Sequence, residues 1–248
     1  MIRLFHVSDL HFGAEDRSAL DWFAQIVAEE KPDAILMTGD LTQRARSSEF
    51  AEAAEWLESL DRPTTVEVGN HDLPLYNPLS RLFLPYRRFK TLERLIERPL
   101  EVKGVTIAPL RTTARVQFRL NWSKGVVTPQ RLAHTVRLVE SAPGGDLVFV
   151  TAHHPLIEAG TRTEARTHGG ERALRHLARA GAHAVLTGHV HDPFDVAHAV
   201  EGRTVRLIGA GTLSERVRET RPSFNEIRVE GRSFETVARV MDGPDRPV

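Results

Sequence analysis

Short, continuously apolar runs alternate along this chain with longer stretches in which apolar residues recur every three or four positions. Ile2–Val7 is the first run, and 34–38, 64–68, 105–110, 147–152 and 182–187 follow. Runs of this length, bounded by turn residues, read as strands buried on both faces. Between them, Arg17–Glu30 places Leu20, Phe23, Ala24 and Val27 on one helical face. Residues 49–60 read as a second helix, stopped by Pro63, and 171–180 as a third. Strands alternating with helices predict a largely parallel sheet. Beyond residue 190 the pattern changes. Residues 193–200, 205–208, 224–229 and Ser233–Val240 read as antiparallel strands joined by Gly-containing turns, forming a second sheet or an antiparallel extension. Segment 73–100 carries four prolines and several arginines and reads as a long excursion containing a helix. The end, 242–248, reads as a frayed tail. No repeat or linker divides the chain, so 1–241 is expected to form one domain.

Composition narrows the possible chemistry. With 248 residues, 41% of them hydrophobic, the chain can bury a sizeable core. Its 33 basic and 33 acidic residues balance, which argues against nucleic acid or an anionic membrane as partner. No run approaches the ~18 apolar residues of a membrane span, and the N-terminus lacks the basic-then-apolar pattern of a signal peptide. A cytoplasmic location is expected. With no cysteine, any metal must be held by His, Asp, Glu or Asn.

The polar residues after the apolar runs are the informative ones. Asp9 and His11 follow the first run, and Gly39-Asp40 the second. Gly69-Asn70-His71-Asp72 follows the third, His153-His154-Pro155 the run 147–152, and Gly188-His189-Val190-His191 the run 182–187. Each group alone is a common turn or a surface pair. Five of them at strand ends, in open α/β architecture, would converge on one rim, where functional sites lie. Gly39, Gly69 and Gly188 each precede a candidate ligand, where a missing side chain allows a sharp turn and leaves room for an ion or a phosphate.

In this order the motifs resemble the calcineurin-like metallophosphoesterases, whose pattern is Asp-x-His, Gly-Asp, Gly-Asn-His-(Asp/Glu), a His before a Pro-containing turn, and Gly-His-x-His. The resemblance implies a four-layer α/β/β/α sandwich of two mixed sheets flanked by helices. It also implies two divalent metal ions, Mn²⁺ or Fe foremost and Zn²⁺ as an alternative. One ion would be held by Asp9, His11, Asp40 and His191. The other would be held by Asp40, Asn70, His153 and His189, with Asp40 as the bridge. His153 is preferred to His154 because the family pattern is His-x-Pro. The resemblance makes His71 the general acid beside the leaving group and Asp72 the group that orients it. The implied reaction is attack of a metal-bound hydroxide on a phosphoester, and the chemistry agrees. Two divalent ions about 3.5–4 Å apart can clamp the attacking and leaving oxygens of a phosphoryl transfer.

Gly39-Asp40-Leu41-Thr42-Gln43-Arg44-Ala45 departs from the Gly-Asp-x-Val-Asp-Arg-Gly of phosphoprotein phosphatases. The closest resemblance is to bacterial class III cyclic-nucleotide phosphodiesterase-like members. A small phosphodiester, with a cyclic nucleotide as one candidate, is the expected substrate. Phosphomonoesterase, small nuclease and non-catalytic scaffold are the alternatives. Two segments could set specificity, and the first could wall the pocket, bind phosphate or form a homodimer contact. One is the arginine-rich 73–98, which otherwise reads as a solvated basic helix. The other is 161–172, a lid or simply a connection.

Overall fold

In strand β1 (Ile2–Val7), Phe5 and Val7 pack against helices, whereas Leu4 packs toward a second sheet. A strand covered on both sides must be apolar throughout, which explains the unbroken run. The computed structural model describes residues 1–74, 78–97, 100, 102–114, 123–161, 167–216 and 221–247. After β1 come α1 (Arg17–Glu30), β2 (Ala34–Met37), α2 (Ser47–Ser59), β3 (Thr64–Val66), α3 (Pro78–Phe83) and α4 (Arg87–Ile96). Then follow β4 (Val105–Pro109), α5 (Pro129–Glu140), β5 (Leu147–Thr151), α6 (Gly170–Ala180) and β6 (Ala184–Thr187). The C-terminal strands are β7 (Phe194–Val200), β8 (Arg203–Gly209), β9 (Ser223–Glu230), β10 (Ser233–Val240) and β11 (Arg246–Pro247).

The strands form two mixed sheets, ordered β11-β10-β9-β1-β2-β3 and β4-β5-β6-β8-β7. Leu4, Leu36, Phe149, Leu186 and Ile208 fill the space between them. On the outer side of the first sheet, Phe5 and Met37 meet Phe23 of α1, Leu57 of α2 and Phe89 of α4. On the outer side of the second, Val148 and Val185 meet Leu132 of α5 and Leu177 of α6. Three apolar layers between four structural ones give the α/β/β/α sandwich.

Several expectations change in detail. The motif-bearing strands do not share one sheet: β1, β2 and β3 run parallel in the first, β5 and β6 in the second. The C-terminal strands divide between both sheets. β8, expected to be antiparallel, pairs parallel with β6 and antiparallel only with β7. Helix α5 was not foreseen, although Thr128 caps it, Pro129 opens it, and Leu132, Thr135 and Val139 are buried. Among its described residues, segment 73–100 contains two helices, not one, and it is not simply solvated. Phe89, Leu92 and Ile96 are buried, Arg81 donates to the Leu73 and Ala114 carbonyls, and Arg88 donates to the Ala45 carbonyl at 2.7 Å. Arg98 of that segment and 162–166 of the second one lie outside the described residues. Arg246 and Pro247, in the stretch expected to fray, pair with β10.

Candidate metal centre

All five motif groups lie at the C-terminal ends of their parallel strands, on one rim shared by the two sheets. The loops after β1 and β2 continue side by side beyond the sheet. Asp9 N–H donates to the Gly39 carbonyl at 3.0 Å, and His11 N–H to that of Asp40 at 3.0 Å. Asp9, His11, Asp40, His189 and His191 all have φ between 50° and 71°. Non-glycine residues seldom adopt this left-handed region, and such strain collects at functional sites.

The glycines make room for protein rather than for an ion or a phosphate. A Cβ at Gly69 would overlap the backbone nitrogen and carboxylate of Asp40, and one at Gly188 would overlap Ser8 and the carboxylate of Asp9. Close approach of the loops, not space for a ligand, requires glycine there.

Seven predicted donors are brought together. Asp9 Oδ1 lies 3.1 Å from His191 Nε2 and 3.6 Å from His11 Nε2, and those two nitrogens are 3.3 Å apart. On the other side, His153 Nε2 lies 3.2 Å from Asn70 Oδ1 and 3.3 Å from Asp40 Oδ2. Asp40 connects the halves: its Oδ2 is also 3.9 Å from His11 Nε2, while Oδ1 accepts His71 N–H at 2.7 Å. His189 donates its backbone N–H to Asp9 Oδ2 at 2.8 Å, and its ring lies beside those of His153 and His154.

Hydrogen bonds to the far nitrogens set the rings. His153 Nδ1–H donates to the Thr38 carbonyl at 2.8 Å, and His191 Nδ1–H to that of Arg216 at 3.0 Å. Each bond turns Nε2 inward as a lone-pair donor, the usual arrangement for a ligating imidazole. His154 is different. Thr112 Oγ1 lies 2.8 Å from its Nδ1 and the Ser123 carbonyl 2.8 Å from its Nε2. Both nitrogens are engaged, so His154 is a structural residue that could join His153 and His189 around an ion only by giving up a bond.

The donor set fits divalent cations. Two buried carboxylates face inward-turned imidazole nitrogens, an arrangement that is costly unless positive charge compensates it. The buried Nδ1 of His11 has no hydrogen-bond partner among the described residues. Burial opposes ionisation of Asp9, but the charge of His191 and hydrogen bonds from His11 and His191 hold its carboxyl well below the usual range. Burial likewise opposes ionisation of Asp40, and His153 outweighs it. In return, His153 rises to about 9: burial works against its charged form, but Asp40 favours it more strongly. The carboxylates thus draw a proton onto the imidazole, and a metal cation can satisfy them in its place. Nitrogen and oxygen donors without thiolate suit Mn²⁺, Fe or Zn²⁺.

Beside the carboxylates stands His71. Its Nδ1–H donates to the Gln43 carbonyl at 2.8 Å, and its Nε2 lies 2.9 Å from Arg216 Nη1. Asp72, expected to orient His71, does other work. Its Oδ1 accepts from Thr42 N–H at 2.9 Å and Thr42 Oγ1 at 3.0 Å, and its Oδ2 from Gly69 N–H at 2.8 Å. It fastens the loop after β2 to the loop after β3, and Gln43 supplies the orienting acceptor. Gln43 and Arg216 were both missed by the sequence reading. Arg216 had one usable signal, since it follows the small-residue stretch Ala210-Gly211-Thr212 just beyond β8.

Comparison with known proteins follows the same lines. A family model described as calcineurin-like phosphoesterase matches residues 2–193. No curated protein matches the chain. Among solved structures, a dimetal phosphatase from Danio rerio is similar with a TM-score of 0.66 at 12% identity, covering 99% of this chain and 96% of its own. A purple acid phosphatase from yellow lupin seeds has a TM-score of 0.67 at 13% identity, over 96% of this chain and 51% of its own. A phosphopantetheinyl hydrolase from Mycobacterium tuberculosis has a TM-score of 0.51 at 17% identity, over 84% of this chain and 89% of its own. At such identities the likeness is one of fold.

Proposed function

Because the chain belongs to the calcineurin-like phosphoesterase family, we propose that it is a two-metal hydrolase of small phosphodiesters, with a cyclic nucleotide as one candidate substrate. The observation that carries the reading is Asp40 Oδ2, placed between His11 Nε2 at 3.9 Å and His153 Nε2 at 3.3 Å. A carboxylate oxygen reaching both halves of the donor set suits a bridging ligand. Asp9, His11, Asp40 and His191 would hold one ion, and Asp40, Asn70, His153 and His189 the other. Bound there, the ions supply Lewis acidity and lower the pKa of water.

The chain's own residues do the rest. Thr38 and Arg216 carbonyls keep the ligating nitrogens of His153 and His191 aimed inward. In hydrolysis, water adds to phosphorus, the bond to the leaving oxygen breaks, and that oxygen needs a proton. Gln43 holds the Nδ1 proton of His71, so the proton donated to the leaving group comes from Nε2, and His71 acts as general acid. Asp72 keeps the loops carrying Asp40 and His71 in register. No described helix is long and apolar enough to cross a membrane.

Metal-stripped protein reloaded with Mn²⁺ and assayed on bis- and mono-p-nitrophenyl phosphate, alongside 2′,3′- and 3′,5′-cyclic AMP, tests this reading. Preferred cleavage of the diesters supports it. Turnover confined to the monoester would make the protein a phosphomonoesterase. No turnover with Mn²⁺, Fe²⁺, Zn²⁺ or Co²⁺ would remove the enzymatic reading.

A further inference from the structure

We infer that Arg216 contacts the substrate, its guanidinium donating to non-bridging oxygens of the phosphoester; this rests on the reading of the site as a phosphoesterase. Three observations carry it. First, the half-buried guanidinium reaches into the site. Its Nη1 lies 2.9 Å from His71 Nε2, 3.5 Å from His11 Nε2 and 3.4 Å from Gln43 Oε1. It therefore sits where one half of the donor set meets the proposed general acid.

Second, the partners it has are weak ones for an arginine. The side-chain contacts of Nη1 among the described residues are two imidazole nitrogens and an amide oxygen, with no carboxylate among them. A guanidinium's preferred partner is an oxyanion, to which it can offer two parallel N–H groups. A bound phosphoester brings such oxygens to this place. The guanidinium can then turn from His71 to the phosphate, which frees Nε2 to face the leaving group.

Third, the loop that carries it is built in. Thr212 Oγ1 donates to the Asp9 carbonyl at 2.7 Å, and Glu215 N–H to that of Ala14 at 3.1 Å. The Arg216 carbonyl itself accepts from His191 Nδ1 at 3.0 Å. These anchors are made largely by backbone and by Thr212, so exchanging the Arg216 side chain leaves them in place. The loop fixes the arginine's position relative to Asp9 and His191.

The test is calorimetric titration of inorganic phosphate into Mn²⁺-loaded wild type, Arg216→Ala and Arg216→Lys, with metal content and thermal midpoint measured on each and kcat and KM on bis-p-nitrophenyl phosphate. A charge-assisted hydrogen bond to an oxyanion predicts phosphate binding weakened about 10- to 100-fold in Arg216→Ala. Both metals and the thermal midpoint should be kept, and Arg216→Lys should recover part of the affinity. Unchanged phosphate affinity in Arg216→Ala would overturn the proposal. So would loss of a metal ion in both variants, which would make the arginine a support for the ligands. A wild type that takes up no metal and hydrolyses nothing would instead overturn the underlying phosphoesterase reading, and this proposal with it.

Discussion

Replacing Glu67 by glutamine should stabilise the protein, and increasingly so as pH rises. Glu67 follows β3 in the first sheet and is buried, and Thr151 Oγ1 in β5 of the second sheet donates to its Oε1 at 3.0 Å. Burial pushes this carboxyl up from its usual 4.5 to about 8. The Thr151 hydrogen bond and Arg111 oppose the rise, while Glu97 and Glu93 reinforce it. Between pH 4.5 and 8 the folded protein keeps a proton that the unfolded chain has released. Folding therefore takes up a proton, and stability falls across that window. At 1.36 kcal/mol per pH unit the loss amounts to about 5 kcal/mol as an upper bound. Glutamine has the same shape, keeps an oxygen for Thr151 and does not titrate. Urea unfolding of both proteins at pH 5, 7 and 8.5, at fixed metal loading, isolates the effect, because other titrating groups cancel in the difference. The two midpoints should nearly coincide at pH 5. At pH 8.5 Glu67→Gln should lead by about 1 M urea, which corresponds to roughly half the upper bound at an m-value of about 2–3 kcal/mol/M. A difference that stays constant from pH 5 to 8.5 would refute the reasoning, because it would mean that Glu67 is ionised in the folded protein throughout.

Two further outcomes follow from named contacts. His71→Ala should keep both metals and lose about 10²- to 10⁴-fold in kcat on alkyl diesters, with a smaller loss on p-nitrophenyl esters, whose leaving group needs no proton; equal losses on both would contradict a general acid. Arg88→Ala should lose about 1 kcal/mol of stability in denaturant unfolding through its bond to the Ala45 carbonyl, whereas Arg87→Ala should match wild type; equal stability of both variants would return this face of α4 to a purely solvated one.

The sequence announced the rim but not its full membership. Asp9, His11, Asp40, Asn70, His153, His189 and His191 were legible because each follows an apolar run, and a run ending in a polar residue is a local signal. The two-sheet division was not local. Whether β5 and β6 lie beside β3 or across from it depends on contacts among Phe149, Leu186 and Leu36, which no window of sequence contains. Arg216 was lost for a related reason. Reading β8 as antiparallel sent its C-terminal end to the wrong side of the molecule, whereas its parallel pairing with β6 brings residues 210–216 to the rim. The role of Asp72 failed differently. Adjacency in sequence suggested a partner for His71, but the tight turn held by Gly69 and Thr42 points its carboxylate into the loop backbone. The left-handed backbone of Asp9, His11, Asp40, His189 and His191 had only a weak signal, because Asp and His are enriched in that region yet adopt it at a small minority of their positions.

The central claim is that one carboxylate, Asp40, joins two metal sites. Metal analysis of wild type and Asp40→Ala after stripping, reloading with Mn²⁺ and removal of free metal tests it most directly. The account predicts two ions per wild-type chain and fewer than one in Asp40→Ala, because both sites share the lost oxygen. Two ions retained by Asp40→Ala, or none held by the wild type, would contradict it.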